Sequence, residues 1–85
     1  MHPKAATLAL AGLLPYQLKG QTTVRLARPG FKEGDGGLRC GASRSWAFGE
    51  ALEPEAYDQV GWDCLPDAIW DYLPDEMLQR AIEGA

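Results

Sequence analysis

Asp63, Asp67, Asp71 and Asp75 recur every four residues, and Glu76 follows the last of them. On a continuous helix four such acids would stand about 6 Å apart along the axis and drift by about 40° per step, drawing a line of negative charge. Duplex DNA is denser, with a charge per about 3.4 Å on each strand, so the line would imitate phosphate only in part. Pro74 also interrupts it, because proline lacks the N–H donor and clashes with the preceding turn. The residues therefore admit two readings. As a strip they engage a basic groove on a partner. Otherwise Asp67 and Asp75 are helix-start residues, and Asp63 and Asp71 are solvated carboxylates.

Tyr57, Trp62, Trp70 and Tyr72 are interleaved with these acids. A small domain needs its large side chains in the core, yet Trp and Tyr also dominate protein interfaces. Trp46 and Trp70 are assigned to the core. Trp62, between Gly61 and Asp63 in an expected loop, is assigned as an exposed anchor. The partner-binding face expected from the sequence is Tyr57, Trp62, Asp63, Asp67, Asp71, Asp75 and Glu76.

Catalysis finds little support. His2 is the only histidine, and it sits at a terminus, where chains are mobile. That removes Ser/His and Cys/His nucleophile pairs. Cys40, Cys64 and His2 lack zinc spacing. There is no calcium loop, and glycines 34, 36 and 37 lack the Gly-Lys-Ser/Thr of a phosphate loop. A carboxylate pair such as Asp75-Glu76 is too common to mark an acid–base dyad. The expectation is a protein with no enzymatic activity, no cofactor and no metal.

Charge is divided along the chain. Residues 49–85 carry ten carboxylates and one cation, Arg80, for a formal −9, while residues 1–48 carry seven cations against Glu33 and Asp35, for +5. The net −4 and pI near 4.7 argue against a general nucleic-acid binder, which needs cations on its contact face. Acidic chains more often meet basic protein surfaces, including those that bind nucleic acid. Arg25, Arg28, Lys32, Arg39 and Arg44 gather around an expected hairpin. They could contact phosphate, protect a sheet edge, or dock on the chain's own acidic helices.

The elements that must position these groups are short. Residues 4–14 are strong helix formers that Pro15 should stop, with Leu10, Leu13 and Leu14 as the docking edge. The apolar run also resembles a weak signal peptide, without a clear cleavage site, and is too short to span a bilayer. Val24 and Leu26 alternate with Arg25 in a strand over 22–28. Leu38, Cys40, Ala42, Arg44, Trp46 and Phe48 share one face of a second strand, and the two strands form a hairpin with a glycine-rich tip. Pro54 starts a helix that Gly61 ends. Leu-Pro-Asp occurs at 65–67 and again at 73–75, which predicts helices over about 66–73 and 74–83, the latter burying Met77, Leu78, Ala81 and Ile82. Cys40 and Cys64 permit one disulfide, but two cysteines make no framework, and reduced thiols are expected.

The fold class expected is α+β in a single small domain, residues 1–85: an N-terminal helix, a β-hairpin or small antiparallel sheet, and two or three short C-terminal helices. In composition the chain is similar to small phage or mobile-element inhibitors of the anti-CRISPR and anti-restriction type, some of which place carboxylates where a target expects phosphates. That likeness carries over no residue. The expected function is a cytoplasmic, non-catalytic protein-binding module that occludes a basic, nucleic-acid-binding surface of a larger protein, with direct nucleic-acid or membrane binding not expected. The alternatives are a self-associating structural subunit and a nucleic-acid regulator working through the basic hairpin.

Overall fold

The computed structural model describes residues 1–48 and 53–84. The fold is α+β. Helix α1 spans Pro3–Leu10, followed by strands β1 (Leu14–Leu18), β2 (Val24–Ala27), β3 (Leu38–Cys40), β4 (Trp46–Phe48) and β5 (Tyr57–Gln59), and helix α2 (Asp75–Gly84). Three 3-10 segments, Pro54–Ala56, Trp62–Cys64 and Asp67–Tyr72, punctuate the second half. The strands form one sheet in the order β4-β3-β2-β1-β5, with every pairing antiparallel. Four strands thus meander, and β5 returns to the far side of β1.

Helix α1 begins where His2 caps it: the His2 Nδ1 accepts from the Lys4 backbone N–H at 3.1 Å, and Pro3 takes the first helical position. It ends at Leu10, earlier than the expected stop before Pro15. Gly12 is the cause. At φ +88° it adopts the left-handed conformation, and its N–H bonds Ala9 O while the Leu13 N–H bonds Leu8 O. That pair of bonds satisfies the last carbonyls and turns the chain out of the helix. The docking edge is consequently Ala5 and Leu8, both buried, whereas Leu10 is 90% exposed.

Pro15 then lies inside β1, paired with Leu26. Proline is rare in a central strand because it cannot donate. Its carbonyl accepts from Val60 N–H at 3.1 Å, so its N faces the same neighbour, at the very end of the β5 ladder. One missing donor there forfeits a single terminal bond.

The sheet has two unlike faces. One carries Val24, Cys40 and Trp46 in one row across β2, β3 and β4, and Leu26, Leu38 and Phe48 in the next. The reverse face carries Ala47, Arg39, Arg25, Tyr16 and Gln59 in register across all five strands. There Tyr16 and Ala27 are buried with Leu14, Phe31 and Tyr57 against them, and Phe31 meets the Tyr16 ring edge-on at 4.7 Å. Arg25 is fully buried, its guanidinium 5.7 Å from the Tyr57 ring centre.

The expected second strand over 38–48 is two strands folded on each other. Gly41–Ser45 turns the chain, with Arg44 at φ 57° and its N–H bonded to Gly41 O at 2.9 Å. The alternation survives because Cys40 pairs with Trp46 and Leu38 with Phe48. Ala42 and Arg44 leave the shared face and are exposed in the turn.

The second half of the chain roofs the apolar face. Leu65, Trp70, Leu73 and Ala81 join Ala5, Leu8, Leu13 and the sheet residues in one core, with Trp62, Ile69, Met77 and Leu78 packed against it. Full burial of a leucine contributes about 1.5–3 kcal/mol, and Leu8, Leu26, Leu38 and Leu73 are all below 2% exposed. Residues 67–72 wind as a 3-10 helix, and α2 starts at Asp75. Pro54 opens only one 3-10 turn, after which Tyr57–Gln59 is strand rather than the expected helix. No helix among the described residues is long and apolar enough to cross a membrane.

Candidate protein-binding face

Trp70 organises the C-terminal layer. Its ring is stacked at 5.5 Å on Trp46, lies 6.0 Å from Trp62 at a tilt, and is stacked at 6.1 Å under His2. Trp46 donates its indole N–H to Ile69 O at 3.1 Å, which ties β4 to the 3-10 helix. From the other side, Lys4 Nζ donates to Trp70 O at 3.1 Å and to Leu73 O at 2.6 Å. A 3-10 helix of six residues has weak hydrogen-bond geometry. Here an ammonium at its C-terminal carbonyls, where a cation suits the dipole, and a tryptophan N–H at its middle hold it in place.

Each Leu-Pro-Asp repeat performs the same local task. Leu65 and Leu73 are buried, Pro66 and Pro74 bend the chain, and Asp67 and Asp75 emerge exposed as the first residues of new helices. Asp63 stands in the 3-10 turn Trp62–Cys64, and Asp71 within Asp67–Tyr72. Asp63, Asp67, Asp71, Asp75 and Glu76 are all exposed, and none is in an ion pair with a described cation. Because three helical segments carry them, they are not one straight line.

The aromatic members are distributed otherwise than expected. Trp62 is half-buried against the core, so only part of its ring can reach a partner. Tyr57 lies on the reverse face, since it pairs with Leu18 and packs beside Tyr16, and the sheet separates it from the acids. Tyr72 is the exposed aromatic, at 47%. Its position between Asp71 and the buried Leu73 was the available signal. Lys4, Leu65 and Leu73 were likewise unforeseen as the residues that fix the layer.

Arg25 and Arg39 belong to the reverse face, and Arg28, Lys32 and Arg44 are exposed on loops and strand ends. Among the described residues the ion pair between the two halves is Lys19 Nζ with Asp58 Oδ1, 3.8 Å apart, both side chains more than half exposed. A pair so exposed contributes little. Glu50 lies outside the described residues.

For chemistry, no group of three or more His, Cys, Asp or Glu among the described residues is placed to hold a metal. Cys40 and Cys64 are free thiols, the first buried and the second exposed. Burial pushes the Cys40 thiol above its ordinary pKa, which favours the neutral, unreactive form. No family model matches the chain, and neither a curated protein nor a solved structure matches it.

Proposed function

We propose that the chain is a non-catalytic protein-binding module whose acidic C-terminal layer occupies a basic, nucleic-acid-binding surface of a larger protein in the cytoplasm, as an inhibitor of the phage or mobile-element kind would. One observation carries the reading: five exposed carboxylates, Asp63, Asp67, Asp71, Asp75 and Glu76, sit on short helices held from beneath by Trp70 and Lys4, with no described cation paired to them. Fixed, unneutralised charge steers association and selects a basic partner. Tyr72, exposed among the acids, supplies the amphipathic contact that interfaces favour.

The test is affinity capture from host lysate with the chain and with its Asp63→Lys, Asp67→Lys, Asp71→Lys variant. A stoichiometric basic protein retained by the parent, released by salt and displaced by duplex DNA supports the reading. Equal retention by the variant overturns it.

A second reading rests on the exposed cations Arg28, Lys32 and Arg44, which belong to segments other than the helices that carry the acids. Such a molecule can meet its neighbour head to tail, acidic layer on basic loops, as a self-assembling subunit. Sedimentation at rising concentration discriminates the two: salt-sensitive oligomers support assembly, and a monomer throughout removes it.

A further inference from the structure

A groove of about 850 Å³ opens between the β2–β3 loop and the C-terminal end of α2, and none of Asp63, Asp67, Asp71, Asp75 and Glu76 lines it. Leu13, Leu26, Leu38 and Ala81 lie beneath its floor, each at most 5% exposed, and the half-buried Phe31 and Phe48 supply its apolar surface. The volume lies in the range of small-molecule sites, which are apolar clefts with a few polar groups that set orientation.

Four charged side chains rim it: Arg28, Asp35, Arg80 and Glu83. Their engagement differs by sign. Asp35 Oδ2 accepts the Lys32 backbone N–H at 2.8 Å, closing its own turn. Glu83 Oε1 accepts from Gln79 Nε2 at 3.1 Å, one turn back along α2. Both carboxylates therefore already hold donors of their own element. Neither guanidinium is in an ion pair with a described carboxylate. Arg28 is exposed at the end of β2, and Arg80 lies 4.6 Å above the Phe48 ring, over the apolar floor. A guanidinium on an aromatic face keeps its edge N–H groups available and presents them in a planar fork.

We infer that this groove binds a small amphipathic anion, with an apolar body against Phe31 and Phe48 and a carboxylate or similar oxyanion held by Arg28 and Arg80. A neutral apolar ligand would use the floor and leave both guanidiniums unanswered. A cation would meet them at a cost. The paired donors favour an oxyanion because charge-assisted hydrogen bonds from Arg are the strong, geometrically selective ones. The ligand joins the β2–β3 loop to α2, so binding also stabilises the fold by mass action.

The probe is dodecanoate at concentrations where it is monomeric, titrated calorimetrically, with dodecanol and dodecyltrimethylammonium alongside. Backbone amide shifts of Gly30, Gly36, Gly37 and Gly84 report whether the groove is the site. One-to-one dodecanoate binding that shifts these amides is expected, with dodecanol and the cation each about tenfold weaker or more. Arg28→Gln and Arg80→Gln together should weaken dodecanoate by a similar factor and leave dodecanol unchanged. Arg80 touches Phe48, so Arg28→Gln alone, at an exposed site, keeps the test valid if the double variant fails to fold. Absence of saturable dodecanoate binding overturns the inference. So does equal affinity for the three probes, or undiminished dodecanoate binding by Arg28→Gln and by the double variant.

Discussion

Lys4 Nζ stands 2.6 Å from the carbonyl oxygen of Leu73, across a sequence separation of 69 residues. The same ammonium reaches Trp70 O at 3.1 Å. Two backbone acceptors at the end of a 3-10 helix thus share one ammonium from α1, and Trp70 O also accepts the Leu73 N–H at 3.2 Å. Lys4→Met keeps the aliphatic stem and removes both donors. Hydrogen bonds to a charged group contribute about 1.5–3 kcal/mol, and Lys4 is half-buried, so the expected loss is about 2 kcal/mol. Urea denaturation checks it, with the midpoint falling at unchanged slope. A midpoint within error of the parent would mean that the contact contributes nothing.

Two glycines on neighbouring stretches should respond oppositely to one methyl group. A Cβ on Gly37 would lie 2.6 Å from Leu26 O and about as close as packing allows to the Arg25 stem, at 3.2 and 3.3 Å. Leu26 O belongs to the strand beside it and has little room to yield. Gly37→Ala should therefore cost about 1–3 kcal/mol as overpacking. Gly41 has nothing within 4 Å of the same position and is not among the residues with positive φ. Gly41→Ala should be neutral or stabilise by about 0.4–1 kcal/mol through the unfolded chain. Thermal melts of the pair decide this, and a destabilised Gly41→Ala would contradict it.

The two thiols should separate in reactivity and in their effect on pH dependence. Cys64 is exposed and should label rapidly with a thiol-specific reagent, while buried Cys40 should label only on unfolding. Burial raises the Cys40 pKa above the ordinary 9.0. At pH values above 9.0 the unfolded chain releases this proton first. It then binds fewer protons than the folded one, and stability falls as pH rises through that window. Below it the contribution is fully present. In a Cys64→Ser background, comparison with Cys40→Ala between neutral and alkaline pH isolates the effect. A parent and variant that decline in parallel would refute it.

The acidic layer predicts a salt response of the free protein. Ten carboxylates and one cation occupy residues 49–85, and Asp63, Asp67, Asp71, Asp75 and Glu76 have no described cation beside them. Their mutual repulsion is screened once the Debye length falls to about 10 Å or less, near 0.1 M salt. The melting temperature should rise as sodium chloride is increased from low ionic strength. Asp71→Lys, in the middle of the strip, should shrink that rise. A flat or falling salt profile would count against an unneutralised face.

Several elements were legible in the residue order, and the misses share physical causes. Val24 and Leu26 alternate with Arg25 because β2 is flanked by an apolar core on one side and an arginine–aromatic layer on the other. Leu38, Cys40, Trp46 and Phe48 were assigned to one face correctly, yet the turn at Gly41–Ser45 was hidden because its length preserved the alternation. β1 was missed because Pro15 reads as a helix stop, and the actual stop is the left-handed Gly12. β5 was missed because Pro54 reads as a helix start, and the helix runs only to Ala56. Carboxylate exposure was readable from charge alone. The half-burial of Trp62 and the place of Tyr57 behind the sheet were not, since both depend on pairings distant in sequence.

The seat of α1 is made by residues near the other end of the chain, which bears on synthesis. β1 to β4 can meander together as they leave the ribosome, since each pairs with its predecessor. The helix that precedes them then has no roof to join until Leu65, Trp70 and Leu73 emerge, and β1 keeps one bare edge until Tyr57–Gln59 arrives. A nascent chain of this sequence leaves its apolar sheet face uncovered until residues 65–81 have emerged, well after the strands that form that face.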